Sequence, residues 1–426
     1  MYSHSIRILG ILLLLSSCAR APLKEMSEAT RATTCPTFQD SLPIETLEKG
    51  LKENIEFLKT NSRGPSVYQF GDRVMSRTDY VLALEYLSEK IHKEWNTPEL
   101  QKTFNEQFEC FEVYGGESWG NVFVTSYFEP LLLSSRKQTA KHSQPLYRIP
   151  PNMVLIQMDE FFQTFPTLRE NMKNPNEQRT PFSVLRGRLE ASKNSDEPPT
   201  IHPFYDRKGI DQDYSLKKQK IEIAWVDPID AFFLQIQGSG TLEYSDRSKV
   251  RVGYAGQNGH KYEALGKFLT DVIPLESMTM HTIEEHLRTL PKDQLQTLLN
   301  KNPSYVFFKK LDSKAITYLG TPVIARRTIA TDQRFFQKGS LAYLEIEEPV
   351  FEKPTDTIPK EWVAKPRFVI DQDTGGAIRG GGRVDLFWGE GAEARQAAGV
   401  MKSKGRLVYI APKQTLLDQL IKTKPK

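Results

Sequence analysis

Asp371-Gln372-Asp373-Thr374-Gly375-Gly376-Ala377-Ile378-Arg379-Gly380-Gly381-Gly382-Arg383-Val384-Asp385-Leu386-Phe387-Trp388-Gly389 is the densest polar signal in the chain. Three carboxylates flank a glycine-rich loop whose backbone can turn tightly without Cβ clashes, so Asp373 and Asp385 can meet in space. Leu386, Phe387 and Trp388 mark a partly buried strand after Asp385, and desolvation there favours the protonated carboxyl that a general acid needs. Carboxylates at such turns also serve as plain structural caps, and these residues alone leave both readings open. If the pair is catalytic, glycoside cleavage is the chemistry it first suggests, because a glycosidic oxygen must be protonated as its bond breaks.

Around this stretch lies a β-rich C-terminal region. Arg327 to Thr331, Ser340 to Ile346, Arg367 to Ile370, Val384 to Trp388 and Arg406 to Ile410 read as strands joined by glycine-rich turns, the pattern of a small barrel. Further upstream, Ile221 to Trp225 and Ala231 to Gln237 also read as strands, and Tyr262, Leu265, Phe268 and Leu269 mark a short helix. The segment between Asn171 and Lys220 is polar and proline-rich. Asn121 to Phe128 is a strand closed by Pro130, whereas Ile44, Leu47, Leu51, Ile55, Leu58 and then Tyr80, Leu84, Leu87, Ile91 recur at helical spacing.

The chain has 426 residues and 39% apolar content, ample for two cores. Its 57 basic and 53 acidic residues leave a net charge of +4, which gives no support to a nucleic-acid surface. The start is more telling. Arg7, the apolar run Ile8 to Leu15, and Leu15-Ser16-Ser17-Cys18 fit a signal peptide over 1–17 with a lipoprotein box, since the run is too short to span a bilayer. Cys18 would be lipidated. With Ala19 rather than Asp beside it, the periplasmic face of the outer membrane is the expected address in a Gram-negative cell. Cys35 and Cys110 would then share an oxidising compartment, where sequence alone does not decide whether they pair.

A second constellation runs from Asp230 to Gly240 and on through Gly253-Tyr254-Ala255-Gly256-Gln257-Asn258-Gly259-His260. Uncharged amides and hydroxyls with an exposed tyrosine suit a sugar surface, and glycine and asparagine turns give an equally consistent structural reading. The chain has no G-x-S-x-G elbow, H-E-x-x-H motif or P-loop, and seven scattered histidines give no metal-site pattern.

Taken in order, Thr125-Ser126-Tyr127-Phe128-Glu129-Pro130, Tyr147-Arg148-Ile149-Pro150-Pro151, Gln237-Gly238-Ser239-Gly240, Tyr254 to Gly259, Asn302-Pro303-Ser304-Tyr305-Val306-Phe307-Phe308 and Asp373 through Asp385 resemble the membrane-bound lytic transglycosylase A family. The resemblance spans about Asn121 to Pro412. It departs before Gly320 and at Arg207-Lys208-Gly209-Ile210, which lacks an acidic member of the family's element. The family implies a mainly β protein with an α-helical N-terminal segment, in which a double-psi β-barrel is interrupted by a second β-rich domain and a glycan groove lies between them. The expected division is a lipid-anchored helical leader and first part of the barrel at 18–130, an inserted glycan-binding domain at 131–310, a C-terminal barrel module with three aspartates at 311–415, and a basic tail at 416–426.

The resemblance further implies that Asp385 is catalytic, with Asp373 and Asp332 in support. Thr125, Tyr127, Gln237, Gly238, Ser239, Gly240, Tyr254, Gly256, Asn258 and Gly259 are the expected substrate-binding residues. The implied partner is the peptidoglycan glycan strand, with the membrane reached through the lipid anchor, and no cofactor or metal is implied. An inverting hydrolase and a glycan-binding lipoprotein without turnover are the rival readings.

Overall fold

The computed structural model describes residues 25–423, apart from 96, 117, 172–183, 193, 195, 312–315 and 377. The expected signal peptide over 1–17 and the expected lipidation site Cys18 therefore lie outside the described residues. Within them, no helix is long and apolar enough to cross a membrane.

Six strands close a barrel. Ser340–Glu345 lies between Lys402–Pro412 and Arg367–Asp373; Thr328–Ala330 lies between Arg367–Asp373 and Arg383–Glu390; and Asn121–Glu129 pairs with both Arg383–Glu390 and Lys402–Pro412, closing the ring. Side chains on Thr328–Ala330, Ser340–Glu345 and Arg367–Asp373 are buried on both faces, as in Phe368 to Gln372, because the barrel interior takes one face and packed elements cover the other, whereas Asn121–Glu129 alternates and leaves Phe123 exposed. That double burial explains the continuous runs of Val, Ile, Leu and Tyr. Two further strands, Phe108–Val113 and Thr30–Thr33, extend the sheet antiparallel from the Lys402–Pro412 strand. Their short length and mixed polarity gave no sign of this role.

The N-terminal helices share the barrel's core. In Ile44–Thr60 the stripe Leu47, Leu51, Ile55, Leu58 is buried, and in Arg77–Glu94 so are Tyr80, Leu84, Leu87 and Ile91, all in one cluster with Ile370, Leu341 and Tyr409. Each fully buried leucine contributes about 1.5 to 3 kcal/mol. A buried ion pair locks the segment down: Arg327 Nη1 donates to Asp40 Oδ2 at 2.5 Å and to the Phe368 carbonyl at 2.9 Å, while Nε donates to Thr46 Oγ1 at 2.9 Å. Cys35 and Cys110 form a disulfide with Cα atoms 5.1 Å apart. At the other end, the expected basic tail at 416–426 begins inside the helix Gln414–Thr423, where Leu416 and Leu417 are buried in the barrel cluster.

Between leaving the barrel after Glu129 and re-entering it at Thr328, the chain builds a second unit. Its main sheet has the order Val306–Leu311, Lys249–Gln257, Ser239–Tyr244, Leu131–Ser134. Ala231 to Gln237, read as a strand, is instead part of the helix Pro228–Gln237. Asp227 caps it by accepting from the Ile229 and Asp230 amides, Pro228 occupies the first turn, and Gly238 ends it at φ +80°. Ile229 and Phe232 pack with Leu265, Leu287 and Leu299, whereas Ala231 and Leu234 pack with Leu132, Leu242 and Val252. A helix covered on two sides loses its amphipathic stripe, and its sequence then looks like a buried strand.

Contacts between the two units lie on both sides of the insertion. Phe128 N donates to Gln237 Oε1 at 2.9 Å, and Glu129 forms a buried salt bridge with Arg251 of the insert. Elsewhere the helices Met280–Thr289 and Gly391–Val400 meet, with His281 Nε2 3.1 Å from the Gln396 carbonyl oxygen.

Candidate active site

Asp385 sits opposite Thr125 in parallel register, and Thr125 Oγ1 donates to Asp385 Oδ1 at 2.8 Å. Two residues along the same strand, hence on the same face, Tyr127 Oη donates to Asp373 Oδ2 at 2.8 Å. Ala330 is the register partner of both Asp373 and Asp385 on its two sides. Two strand spacings place the aspartate Cα atoms about 10 Å apart. One strand thus holds one hydroxyl for each carboxylate.

Burial pushes the Asp385 carboxyl up to about 6, and the charge of Asp373 adds to this against the opposing pull of Thr125 and Arg383. Asp385 nonetheless keeps part of its surface open to solvent. Asp373 is also raised by burial, although Tyr127 and the amides of Tyr318 and Thr374 oppose the shift. Those amides both donate to Oδ1 at 2.9 Å.

Asp332 serves a different task. Its Oδ2 accepts from Gly380 N at 2.8 Å and from Arg334 Nη2 at 2.5 Å, pinning the glycine-rich loop where Gly380 adopts φ +86°. Burial opposes ionisation there, but the Arg334 and Gly380 hydrogen bonds outweigh it and hold the carboxyl below its ordinary range. Asp371 went unassigned in the sequence reading. It is fully buried and accepts from Lys338 Nζ at 2.7 Å and from Thr331 Oγ1 and Tyr409 Oη at 2.6 Å each, a cross-strand tie inside the barrel. A carboxylate this deep is tolerable only because each partner is a donor.

The expected sugar-binding residues divide into two groups. Gln237 is half-buried, as are Gly238 and Ser239, beside the Asn121–Glu129 strand, and Tyr254 is 48% exposed. Gly256 lies at a bulge opposite Phe307, and Gly259 is exposed at φ +87°. Asn258 and Gly240 are corrections. The buried Asn258 amide donates to the carbonyls of Tyr205 and Pro303 and accepts from Tyr305 N, so it holds a turn together with no polar group left for a sugar. Gly240 is buried where a Cβ would lie 2.6 Å from Leu234, so it is a close-packing position. Thr125 and Tyr127 have their hydroxyls on the two aspartates.

A closed barrel interrupted by an inserted β-rich unit, with a partly exposed carboxylate of raised proton affinity on its wall, fits the class of enzymes that cleave glycans with a carboxylic acid. The MltA specific insert domain matches residues 123–309 and the 3D domain matches residues 327–411. The membrane-bound lytic murein transglycosylase A of Escherichia coli strain K12 is 26% identical over 304 residues, covering 70% of this chain and 68% of that protein. A homolog from Buchnera aphidicola is 27% identical over 70% of this chain and 69% of its own length. Among solved structures, a membrane-bound lytic murein transglycosylase from Agrobacterium tumefaciens superposes with TM-score 0.66 at 26% identity, covering 88% of this chain and 94% of that one. E. coli MltA with bound chitohexaose shares the fold at TM-score 0.63 and 20% identity, over 92% and 96% of the two chains. This chain belongs to the membrane-bound lytic murein transglycosylase A family.

Proposed function

We propose that Asp385 is the single acid-base group of the reaction. The chain is a peptidoglycan lytic transglycosylase, a lyase. In our reading it cuts the β-1,4 bond between N-acetylmuramic acid and N-acetylglucosamine. Protonated Asp385 gives its proton to the glycosidic oxygen as the bond from C1 breaks. The C6 hydroxyl of the same muramic acid attacks C1, and its proton passes to the Asp385 carboxylate, which restores the acid and leaves a 1,6-anhydro sugar. No water enters. Because the nucleophile is part of the substrate, holding the sugar in position supplies much of the acceleration.

The observation that carries this reading is the unequal surroundings of the two aspartates. Asp385 has a partner on Oδ1 alone among the described residues and a raised pKa, which suits a proton donor. Asp373 accepts from three donors spread over both oxygens, which fixes its orientation and suits a supporting role better than the activation of water by an inverting hydrolase. Gln237, Gly238, Ser239, Tyr254, Gly256 and Gly259 are assigned to the glycan surface, with Asp332 and Asp373 supporting the loop and the dyad. Cys18 is assigned as the lipid anchor to the periplasmic face of the outer membrane. Digesting peptidoglycan with the purified, detergent-solubilised protein tests the reaction: 1,6-anhydro ends by mass spectrometry support it, and new reducing ends or no fragments refute it.

A further inference from the structure

We infer that Arg383 is a positioning residue that fixes which oxygen of Asp385 carries the transferred proton. This rests on the acid-base role given to Asp385 above. Arg383 and Asp385 stand two apart on one strand, facing the same side, with Phe123 and Thr125 as their respective register partners. Arg383 Nη2 donates to Thr125 Oγ1 at 3.3 Å, and the guanidinium lies 4.9 Å from the centre of the Phe123 ring, which restrains it by a cation-π contact.

A guanidinium can only donate, so Thr125 must accept from it. The hydroxyl has one proton, and Asp385 Oδ1, at 2.8 Å, is the acceptor within reach. The chain Arg383 to Thr125 to Asp385 therefore runs in one direction. It keeps Oδ1 as an acceptor and leaves the acid proton on Oδ2, which has no protein partner among the described residues. Without Arg383 the hydroxyl is free to turn and accept from a proton on Oδ1, where the proton faces the protein and is useless for transfer.

Arg383 also opposes the raised pKa of Asp385 through its charge. Other titratable groups around the acid are Asp373 on the strand beyond Ala330, Tyr127 two residues from Thr125, and Lys402, the antiparallel partner of Thr125, whose Nζ donates to the Met278 carbonyl at 3.1 Å. The Thr328–Ala330 strand between the aspartates brings none.

The test is a pH-rate profile of the solubilised full-length enzyme on peptidoglycan for Arg383→Met, Arg383→Lys, Thr125→Val and the Thr125→Val/Arg383→Met pair. On the acidic plateau, Arg383→Met should lower kcat about 10- to 100-fold with KM little changed. Its descending alkaline limb should move up by about one pH unit, since the acid loses a nearby cation. Arg383→Lys, again a donor-only cation, should recover kcat to within a few-fold. In the Thr125→Val background, Arg383→Met should produce no further loss of plateau kcat, which a merely structural role would not predict. Wild-type kcat and pH profile in Arg383→Met, a loss in KM alone, or additive losses in the double variant would overturn the inference. An active Asp385→Asn would instead remove the reading beneath it, whereas an inactive Asp385→Asn beside an unaffected Arg383→Met would sink this inference alone.

Discussion

Thr125 and Asp385 are separated by 260 residues of sequence yet face each other across adjacent parallel strands, with the threonine hydroxyl 2.8 Å from the carboxylate. The insertion of a whole second unit between them separates the two halves of the site in sequence without separating them in space. The carboxylate is thereby built into the barrel wall, on strands that flank the point where the insert leaves the barrel.

The raised proton affinity of Asp385 has a consequence for stability. Its folded pKa of about 6 exceeds the unfolded value of about 3.9, so the group favours the fold below pH 4, and that contribution is lost as the pH rises through 6. Asp385→Asn removes the ionisation. The variant should be more stable than wild type at pH 7.5 by about 1 to 2 kcal/mol, after allowance for partial exposure, and equal to it near pH 4. Urea unfolding at the two pH values measures this, and a difference independent of pH would count against the shifted pKa.

Tyr254 and Asn258 are close in sequence but should behave differently. Asn258→Ala removes the side-chain partner of the Tyr205 carbonyl and of the Tyr305 and His260 amides, while the Pro303 carbonyl keeps Arg207 N, and should destabilise the fold by about 2 to 3 kcal/mol. Tyr254→Ala removes a ring that is 48% exposed and should change stability by less than about 0.5 kcal/mol while weakening glycan binding several-fold. Paired unfolding and peptidoglycan pull-down assays separate them. Equal behaviour in both assays contradicts the division.

Linking Cys35 to Cys110 closes a loop with a sequence separation of 75. Loop-closure entropy gives about 4 kcal/mol of stabilisation for that length. Replacing both cysteines with serine should lower the unfolding free energy by an amount of this order, and an unchanged urea midpoint would contradict it.

In the proposed reading, membrane attachment rests on Cys18. Cys18→Ala should abolish metabolic lipid labelling and move the protein from the membrane fraction to the soluble one, since several acyl chains hold a protein where a lone cysteine does not. Persistent labelling would assign the anchor elsewhere.

The barrel strands Thr328–Ala330, Ser340–Glu345 and Arg367–Asp373 were legible because they are buried on both faces, and the helices Ile44–Thr60 and Arg77–Glu94 because each is buried on one. Pro228–Gln237 defeated the same reasoning because two layers cover it, leaving only its caps at Asp227 and Gly238 to reveal a helix. Within the site, the Gly-rich loop pointed to Asp373 and Asp385. The hydrogen bonds that define their surroundings could not be read, since Tyr127 and Asp373 are 246 positions apart and only the barrel closure brings them together. Asn258 sits in a segment whose composition suits sugars equally well, and only its burial shows that its amide is committed to the backbone.

The most direct measurement is the rate at which Asp385→Asn releases 1,6-anhydro-muropeptides from peptidoglycan, followed by mass spectrometry alongside a sedimentation assay for glycan binding. Asparagine keeps the size of the side chain and can still accept from Thr125, but it cannot give up and retake a proton. Because the proposed mechanism asks one group to act both as acid and as base, the rate should fall by about 10⁴-fold while binding persists. Release of anhydro products at close to the wild-type rate would contradict the assignment of Asp385 as the acid-base group.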